Sequence, residues 1–208
     1  MALTRLGGNQ AINLATNTTG TLGVANGGTG LTSGTSGQFL KFTGSTTVAS
    51  AAGGGITEAD QYRLTSTFSG SANPITGTWE RNDTVFDKIG TGMSVSSGNF
   101  TFPSTGIYKV EFNSLFSKSS GDTQYVAAKI NITTNNSSYS LRATGYGFIN
   151  EAGGETYSGA TCQTIIDVTD TSNVKVQFGV VNQSSSDYYG DTSQNKTTVT
   201  FVRLGDTW

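Results

Sequence analysis

Residues 100–112 read Phe100-Thr101-Phe102-Pro103-Ser104-Thr105-Gly106-Ile107-Tyr108-Lys109-Val110-Glu111-Phe112. Pro103 has no backbone N–H to donate to a neighbouring strand, so one strand ends there. Gly106 permits the turn conformation that must follow. After this turn, apolar side chains alternate with charged ones, which predicts a new strand with one buried face. The apolar set is Tyr108, Val110 and Phe112, and the charged set is Lys109 and Glu111.

The same alternation recurs through the second half of the chain. Four further segments place apolar side chains at every second position and are bounded by Gly, Asn, Asp and Ser: Val126 to Ile132, Cys162 to Val168, Val174 to Val180, and Val199 to Phe201. No segment shows a long helical period. Several half-buried strands joined by turn-rich loops predict an all-β, antiparallel jelly-roll sandwich with a single core.

The first 57 residues differ in composition from the rest. They are rich in Gly, contain no acidic residue, and carry only Arg5 and Lys41 as charged side chains. We therefore predict an extended N-terminal segment, 1–57, and a head domain, 58–208. At the junction, Thr57 to Leu64 gathers acidic residues, Ala and Leu, which predicts a short turn of helix with Thr57 as its N-cap.

Composition excludes several classes of function. The chain has 208 residues, with 12 Lys and Arg against 14 Asp and Glu, so no strong field would attract nucleic acid. It has no His, the commonest general base and metal ligand. Cys162 is the single cysteine and is predicted to be a small core residue. The sequence favours a protein that is not an enzyme, binds no nucleic acid and does not insert into a membrane.

The Gly-rich segment contains a string that resembles a known repeat. Val24-Ala25-Asn26-Gly27-Gly28-Thr29-Gly30-Leu31-Thr32-Ser33 resembles the "VANGGTG" repeat in the shafts of bacteriophage tail fibres, and Gly37-Gln38-Phe39-Leu40-Lys41 is similar to the "GQ(V/F)L" segment that often follows it. Three identical chains wound together could bury the sparse apolar residues here, although a flexible linker is an open alternative. The resemblance implies a virion protein whose segment attaches to other virion proteins, for which the candidates are Leu3, Leu6, Ile12 and Leu14.

Residues 100–112 also resemble a family motif. They are similar to the pattern "F-x-x-P-x-x-G-x-Y-x-F" of C1q-like domains, and the similarity extends over about residues 68 to 205. This resemblance implies a jelly roll of the C1q and tumour-necrosis-factor (TNF) group that assembles as a homotrimer. Four apolar residues alternate out of register with the core stripes, and a single sandwich is expected to expose them: Ile107, Ala127, Ile165 and Val202. The segment before the head is not collagen-like, so complement-type ligands do not follow.

One loop has the composition of a binding site. It carries Asp187, Tyr188, Tyr189 and Asp191, whose oxygens could hold Ca²⁺ and whose rings could stack on sugars. Tyr146 and Tyr157, which lie between predicted strands, could extend this recognition surface. A polar loop with aromatic anchors is the alternative interpretation.

These patterns together favour a short trimeric tail fibre or spike at the virion surface. Its N-terminus, Met1 to Leu14, lacks a signal peptide, so we expect assembly in the host cytoplasm. The head would bind a host cell-surface glycan or protein. The first alternative is a capsid decoration protein with the same fold. The second is a glycan-cleaving enzyme using Glu80, Asp83 and Asp87, although exposed ion pairs with the interleaved Arg81 and Lys88 also explain that pattern.

Overall fold

The computed structural model describes residues 29, 31, 34–45, 47–51 and 54–207. The chain divides into two compact units, Met1–Gly55 and Ile56–Trp208. All regular secondary structure in the described residues is β-strand. No helix in this part of the chain is long and apolar enough to cross a membrane. The predicted attachment residues, Leu3, Leu6, Ile12 and Leu14, lie outside the described part of the chain, as does most of the "VANGGTG"-like string.

The described residues of the first unit form an antiparallel hairpin. Strand β1 spans Phe39–Gly44 and pairs with β2, which spans Thr47–Ala51. Three large apolar side chains of β1 are more than half exposed, namely Phe39, Leu40 and Phe42. A two-stranded hairpin has no second layer on which to bury such residues, so alone it is at best marginally stable.

The second unit is a sandwich of two antiparallel sheets. The first sheet, which we call the inner sheet, has the order β4-β14-β9-β15-β3-β5, with β12 along the free edge of β9 and β6 beside β3. The second, the outer sheet, has the order β11-β10-β13-β8-β7. The strands are β3 (Ala59–Leu64), β4 (Phe68–Ser69), β5 (Trp79–Arg81), β6 (Lys88–Ile89), β7 (Ser94–Ser96), β8 (Asn99–Thr101), β9 (Gly106–Lys118), β10 (Thr123–Thr133), β11 (Ser140–Ile149), β12 (Thr156–Val168), β13 (Lys175–Asn182), β14 (Asp187–Tyr188) and β15 (Thr198–Gly205).

The core lies between the two sheets and confirms the predicted alternation. The apolar stripes of β9, β10, β12, β13 and β15 are buried, whereas the residues between them are mostly not. Phe100 lies at the centre, with ring centroids of Tyr62, Trp79, Phe178 and Phe201 within 5.3 to 5.6 Å of its own. Cys162 is buried in this core as predicted, and burial raises the pKa of its thiol to about 11. The all-β jelly-roll prediction is therefore confirmed.

The predicted turn of helix at Thr57 to Leu64 is wrong, because Ala59–Leu64 is strand β3. This strand pairs with β15 on one side and with β5 and β6 on the other. Tyr62 and Leu64 are buried in the core. Backbone pairing on both edges and burial of alternate side chains outweigh the weak helical preference of Glu, Ala and Leu in so short a segment.

The edges of the two sheets meet along β11 and β12. A Cβ built on Gly145 would lie 1.8 Å from the carbonyl oxygen of Thr161, and one on Gly147 would lie 2.6 Å from that of Gly159. These two glycines alternate with Tyr146 and Phe148, which point outward and are well exposed. Glycine is therefore required on the inward side, because any side chain there would force the two edges apart.

The four residues that a single sandwich is expected to expose differ in how far they are buried. Ile165 is 65% exposed, and Ile107 and Val202 are half-buried; all three lie on the outward face of the inner sheet. Ala127 is a correction, since it is only 2% exposed. It lies in the outer sheet, in register with Tyr146 on one side and Val181 on the other, and its small side chain is covered by these larger neighbours.

Candidate functional site

Several loops converge at one end of the sandwich. The loop after β9 and the loop before β12 are joined because the backbone N–H of Gly121 donates to Glu151 Oε2 and the N–H of Glu151 donates to Asp122 Oδ1, each at 2.7 Å. The loop before β14 joins them through Ser184 Oγ, which donates to the carbonyl of Asp122 at 3.1 Å. The end of the sandwich is therefore a continuous, hydrogen-bonded loop surface.

The N-terminal strand of the sandwich starts at the opposite end. Ala59, the first residue of β3, is in register with Val202, which is itself in register with Lys109 near the start of β9. The converging loops follow the far end of β9, at Lys118, and precede the start of β12, at Thr156. The loop surface is thus the end of the sandwich farthest from the point where the chain enters it.

Two predicted site residues, Tyr157 and Tyr189, come together at this loop end. Their ring centroids are 5.6 Å apart and the rings are inclined by 44°. The carboxylate of Glu155 accepts a hydrogen bond from the Tyr189 hydroxyl and one at 2.8 Å from Ser117 Oγ. Hydrogen bonds from Tyr189, Ser117 and Tyr157 lower the pKa of Glu155, so it is ionised at neutral pH.

Sequence reasoning did not identify Glu155 or Ser117 as part of this cluster. Ser117 is in register with Tyr157 across β9 and β12 and with Asp187 across β9 and β14. The signal for these contacts is the pairing register of three strands, which a single sequence does not specify. The cluster also includes Lys196, whose Nζ lies 5.8 Å from the centroid of the Tyr189 ring.

Tyr188 is a correction, because it is a core residue and cannot contact a receptor. Its side chain is completely buried, stacks on Phe68 with centroids 5.1 Å apart, and packs near Phe116. Its hydroxyl has no hydrogen-bond partner among the described residues, and burial raises its pKa. In a strand, successive side chains point to opposite faces, so Tyr188 faces inward between its outward-facing neighbours Asp187 and Tyr189.

The two aspartates of the loop are engaged separately rather than together. Asp187 accepts a hydrogen bond from Ser69 Oγ. Asp191 forms an ion pair with Lys196 at 2.8 Å and accepts backbone hydrogen bonds from Ser193 and Gln194, which together lower its pKa. Among the described residues, no group of three or more His, Cys, Asp or Glu side chains is arranged to hold a metal ion. The prediction that this loop binds Ca²⁺ stays a prediction.

Tyr146 lies on the outer sheet and makes its ring contact there. It is 71% exposed on the outer sheet, where its ring forms an edge-to-face contact with Tyr125 at 6.2 Å between centroids. Tyr157 belongs instead to the inner sheet. The predicted recognition residues therefore separate into a loop cluster, a core residue and an aromatic pair on the other sheet.

Two of the three carboxylates considered for glycan cleavage, Glu80 and Asp83, are paired with an arginine. Glu80 accepts hydrogen bonds from the buried Arg63, and Asp83 lies 3.6 Å from the same guanidinium. Arg81 pairs instead with the buried Asp60 at 3.0 Å. We expected exposed ion pairs between these carboxylates and the interleaved Arg81 and Lys88, and this expectation is wrong. The partners of Glu80 and Arg81 lie in β3, and these ion pairs are partly buried.

The order of strands in the two sheets is that of an antiparallel jelly roll, a fold that solved TNF structures share. Solved structures with a similar fold include the Eiger TNF of S. frugiperda, with a TM-score of 0.55 and 11% identity over 72% of this chain and 94% of that one. Murine APRIL at pH 5.0 is also similar, with a TM-score of 0.52 and 11% identity over 71% of this chain and 98% of that one. At this identity the likeness shows the fold alone. No protein-family model and no curated protein matches the sequence.

Proposed function

We propose that this chain is a non-enzymatic receptor-binding protein of a bacteriophage virion, a short trimeric tail fibre or spike. The observation that carries the proposal is that the two ends of the head differ. The chain enters the sandwich at one end, and the exposed Tyr157–Tyr189 cluster lies at the other. A head held by its N-terminal segment would therefore present this cluster outward, towards a host cell surface.

A homotrimer is supported by the outward face of the inner sheet. Ile165 is 65% exposed, and the half-buried Ile107 and Val202 lie on the same face. An apolar face of this kind is typical of a protein interface, and identical copies of the chain can bury it against one another around a three-fold axis. The TNF-like fold agrees with the trimer that the C1q and TNF resemblance implies.

The placement on a phage particle rests on the resemblance of Val24 to Ser33 to fibre shafts. In this proposal Leu3, Leu6, Ile12 and Leu14 attach the segment to other virion proteins, and the protein is assembled in the host cytoplasm. Ca²⁺ could occupy the loop end through Asp187, although Asp191 is already paired with Lys196.

Cell binding by the purified full-length chain tests the function. We expect the protein to bind the host bacterium and to reduce adsorption of the virion in proportion to its concentration. If the purified protein neither binds the cells nor reduces adsorption of the virion, a receptor-binding role is contradicted. Antibody labelling of intact virions then locates the chain: label at the tail supports the fibre, and label over the capsid supports the decoration alternative.

A further inference from the structure

The carboxylate of Glu155 is held in one orientation but is not saturated. An ionised carboxylate accepts about four hydrogen bonds. Two hydroxyl groups of the protein donate to this one, namely those of Ser117 and Tyr189, and the hydroxyl of Tyr157 also helps to lower its pKa. The group therefore retains capacity for at least one further donor, and its position is fixed before any ligand arrives.

The two tyrosine rings are fixed as well, yet one of them remains open. The backbone N–H of Tyr189 donates to the carbonyl of Leu115 at 3.0 Å, and Lys196 Nζ lies over its ring. Tyr157 rests against this anchored ring but is 55% exposed. A ring that served only as an anchor would be buried, as Tyr188 is. Tyr157 therefore presents an ordered aromatic surface beside a fixed acceptor.

The charges around the cluster disfavour an anion. Lys196 is neutralised by Asp191 at 2.8 Å, whereas Lys118 keeps its charge and donates to the carbonyl of Ser185 at 3.2 Å, not to Glu155. Glu155 is ionised and has no cationic partner among its contacts, which are all hydroxyl groups. An anion is therefore disfavoured, and a ligand that donates a hydrogen bond and has an apolar face that can stack on an aromatic ring fits the cluster.

From this geometry we infer that the Tyr157–Glu155–Tyr189 cluster binds a neutral hexopyranose unit of a glycan. The C–H face of the sugar stacks on the ring of Tyr157, and one sugar hydroxyl donates to Glu155. The inference deepens the proposed receptor-binding function, on which its biological meaning rests, by naming the class of receptor. It assigns a ligand-contacting role to Glu155 and a positioning role to Ser117.

Sugar titration of the full-length chain tests this site directly. Methyl α-D-glucopyranoside and methyl β-D-galactopyranoside are the neutral probes, N-acetylneuraminic acid is the anionic one, and binding is followed by saturation-transfer NMR. We expect at least one neutral probe to bind. Tyr157→Ala and Glu155→Gln should each weaken its binding by about tenfold. Binding of none of the probes, or of the anionic probe alone, overturns the inference.

A matched pair of variants separates the site from general effects on folding. Tyr189→Phe removes the hydroxyl that bonds Glu155, and Tyr139→Phe removes a hydroxyl that bonds Asn99 elsewhere in the head. We expect Tyr189→Phe to weaken sugar binding and Tyr139→Phe to leave it unchanged. The two variants should have the same thermal stability. Equal sugar affinity in the two variants contradicts the inference.

The cell-binding assay distinguishes this inference from the proposed function. Suppose that the chain binds cells, and that neither Tyr157→Ala nor excess neutral pyranoside reduces this binding. The glycan site is then wrong, and the receptor role stands. If the chain binds the sugar but no cell, the receptor role fails and the glycan site stands.

Discussion

At the scale of single residues, Tyr108 joins the decisive motif to the core. It is 1% exposed, its ring centroid lies 4.8 Å from that of Phe102, and its hydroxyl donates to the carbonyl of Ser104 at 3.1 Å. The hydroxyl bond closes the turn that Pro103 and Gly106 make possible. The ring and the turn therefore stabilise each other.

Truncation of this ring should be costly. We expect Tyr108→Ala to lower the free energy of unfolding by about 3 to 5 kcal/mol, because it removes a buried aromatic ring and leaves a cavity. Tyr108→Phe keeps the ring and should cost only about 1 kcal/mol. Denaturant unfolding at one fixed protein concentration measures both. Equal stability of Tyr108→Ala and the parent would show that the ring contributes nothing to the core.

At the scale of elements, the sequence predicts strands well where one face is buried. The stripes of β9, β10, β12, β13 and β15 follow a period of two because their inner faces all pack against one core. Strand β3 was not predicted because a charged residue interrupts its inward stripe: Asp60 is in register with the buried Phe201 and is itself only 1% exposed. Its ion pair with Arg81 allows this burial, and a single sequence does not specify that pairing.

The candidate site was only partly predictable for a related reason. Tyr157, Tyr189 and Asp191 were singled out by residue type, which is visible in the sequence. Glu155 was not, because its partners Ser117 and Tyr189 are 38 and 34 residues away along the chain. Tyr188 was misassigned since residue type was considered without the inward and outward alternation of a strand.

The meeting of β11 and β12 provides a prediction at the same scale. Gly145→Ala should destabilise the head by about 1 to 3 kcal/mol, because its Cβ would overlap the carbonyl oxygen of Thr161 and overpack the junction. Gly154→Ala is the matched control, since a Cβ there has no heavy atom within 4 Å. Thermal unfolding compares the two. A similar unfolding temperature for both variants would contradict the close approach of the edges.

At the scale of the whole molecule, stability should fall in acid. Hydrogen bonds from Asn113 and Lys109 lower the pKa of Glu111 below its ordinary 4.5, and those from Tyr189 and Ser117 do the same for Glu155. Because each folded pKa lies below its unfolded value, the unfolded chain binds protons first. This contribution is therefore complete above pH 4.5 and is lost as the pH falls through the folded pKa values.

Urea unfolding at several pH values checks this direction. We expect the midpoint to decrease between about pH 5 and pH 3, and Glu155→Gln to reduce the decrease because it removes one of the titrating groups. A midpoint that stays constant or rises over this range would contradict the hydrogen bonds assigned to Glu111 and Glu155.

Assembly is the last property that belongs to the whole molecule. The chain has a mass of 21.6 kDa, and we expect sedimentation equilibrium of the full-length protein to give about three times this value. Ile165 lies on the apolar outward face of the inner sheet, so Ile165→Asp would place a charge in the contact and should favour the monomer. Leu141→Asp is the matched control, because Leu141 is a similarly sized residue, 48% exposed, in the outer sheet. We expect this control to sediment as the parent does. A parent protein that remains monomeric at micromolar concentration would contradict the trimer, and dissociation by Leu141→Asp alone would move the contact to the outer sheet.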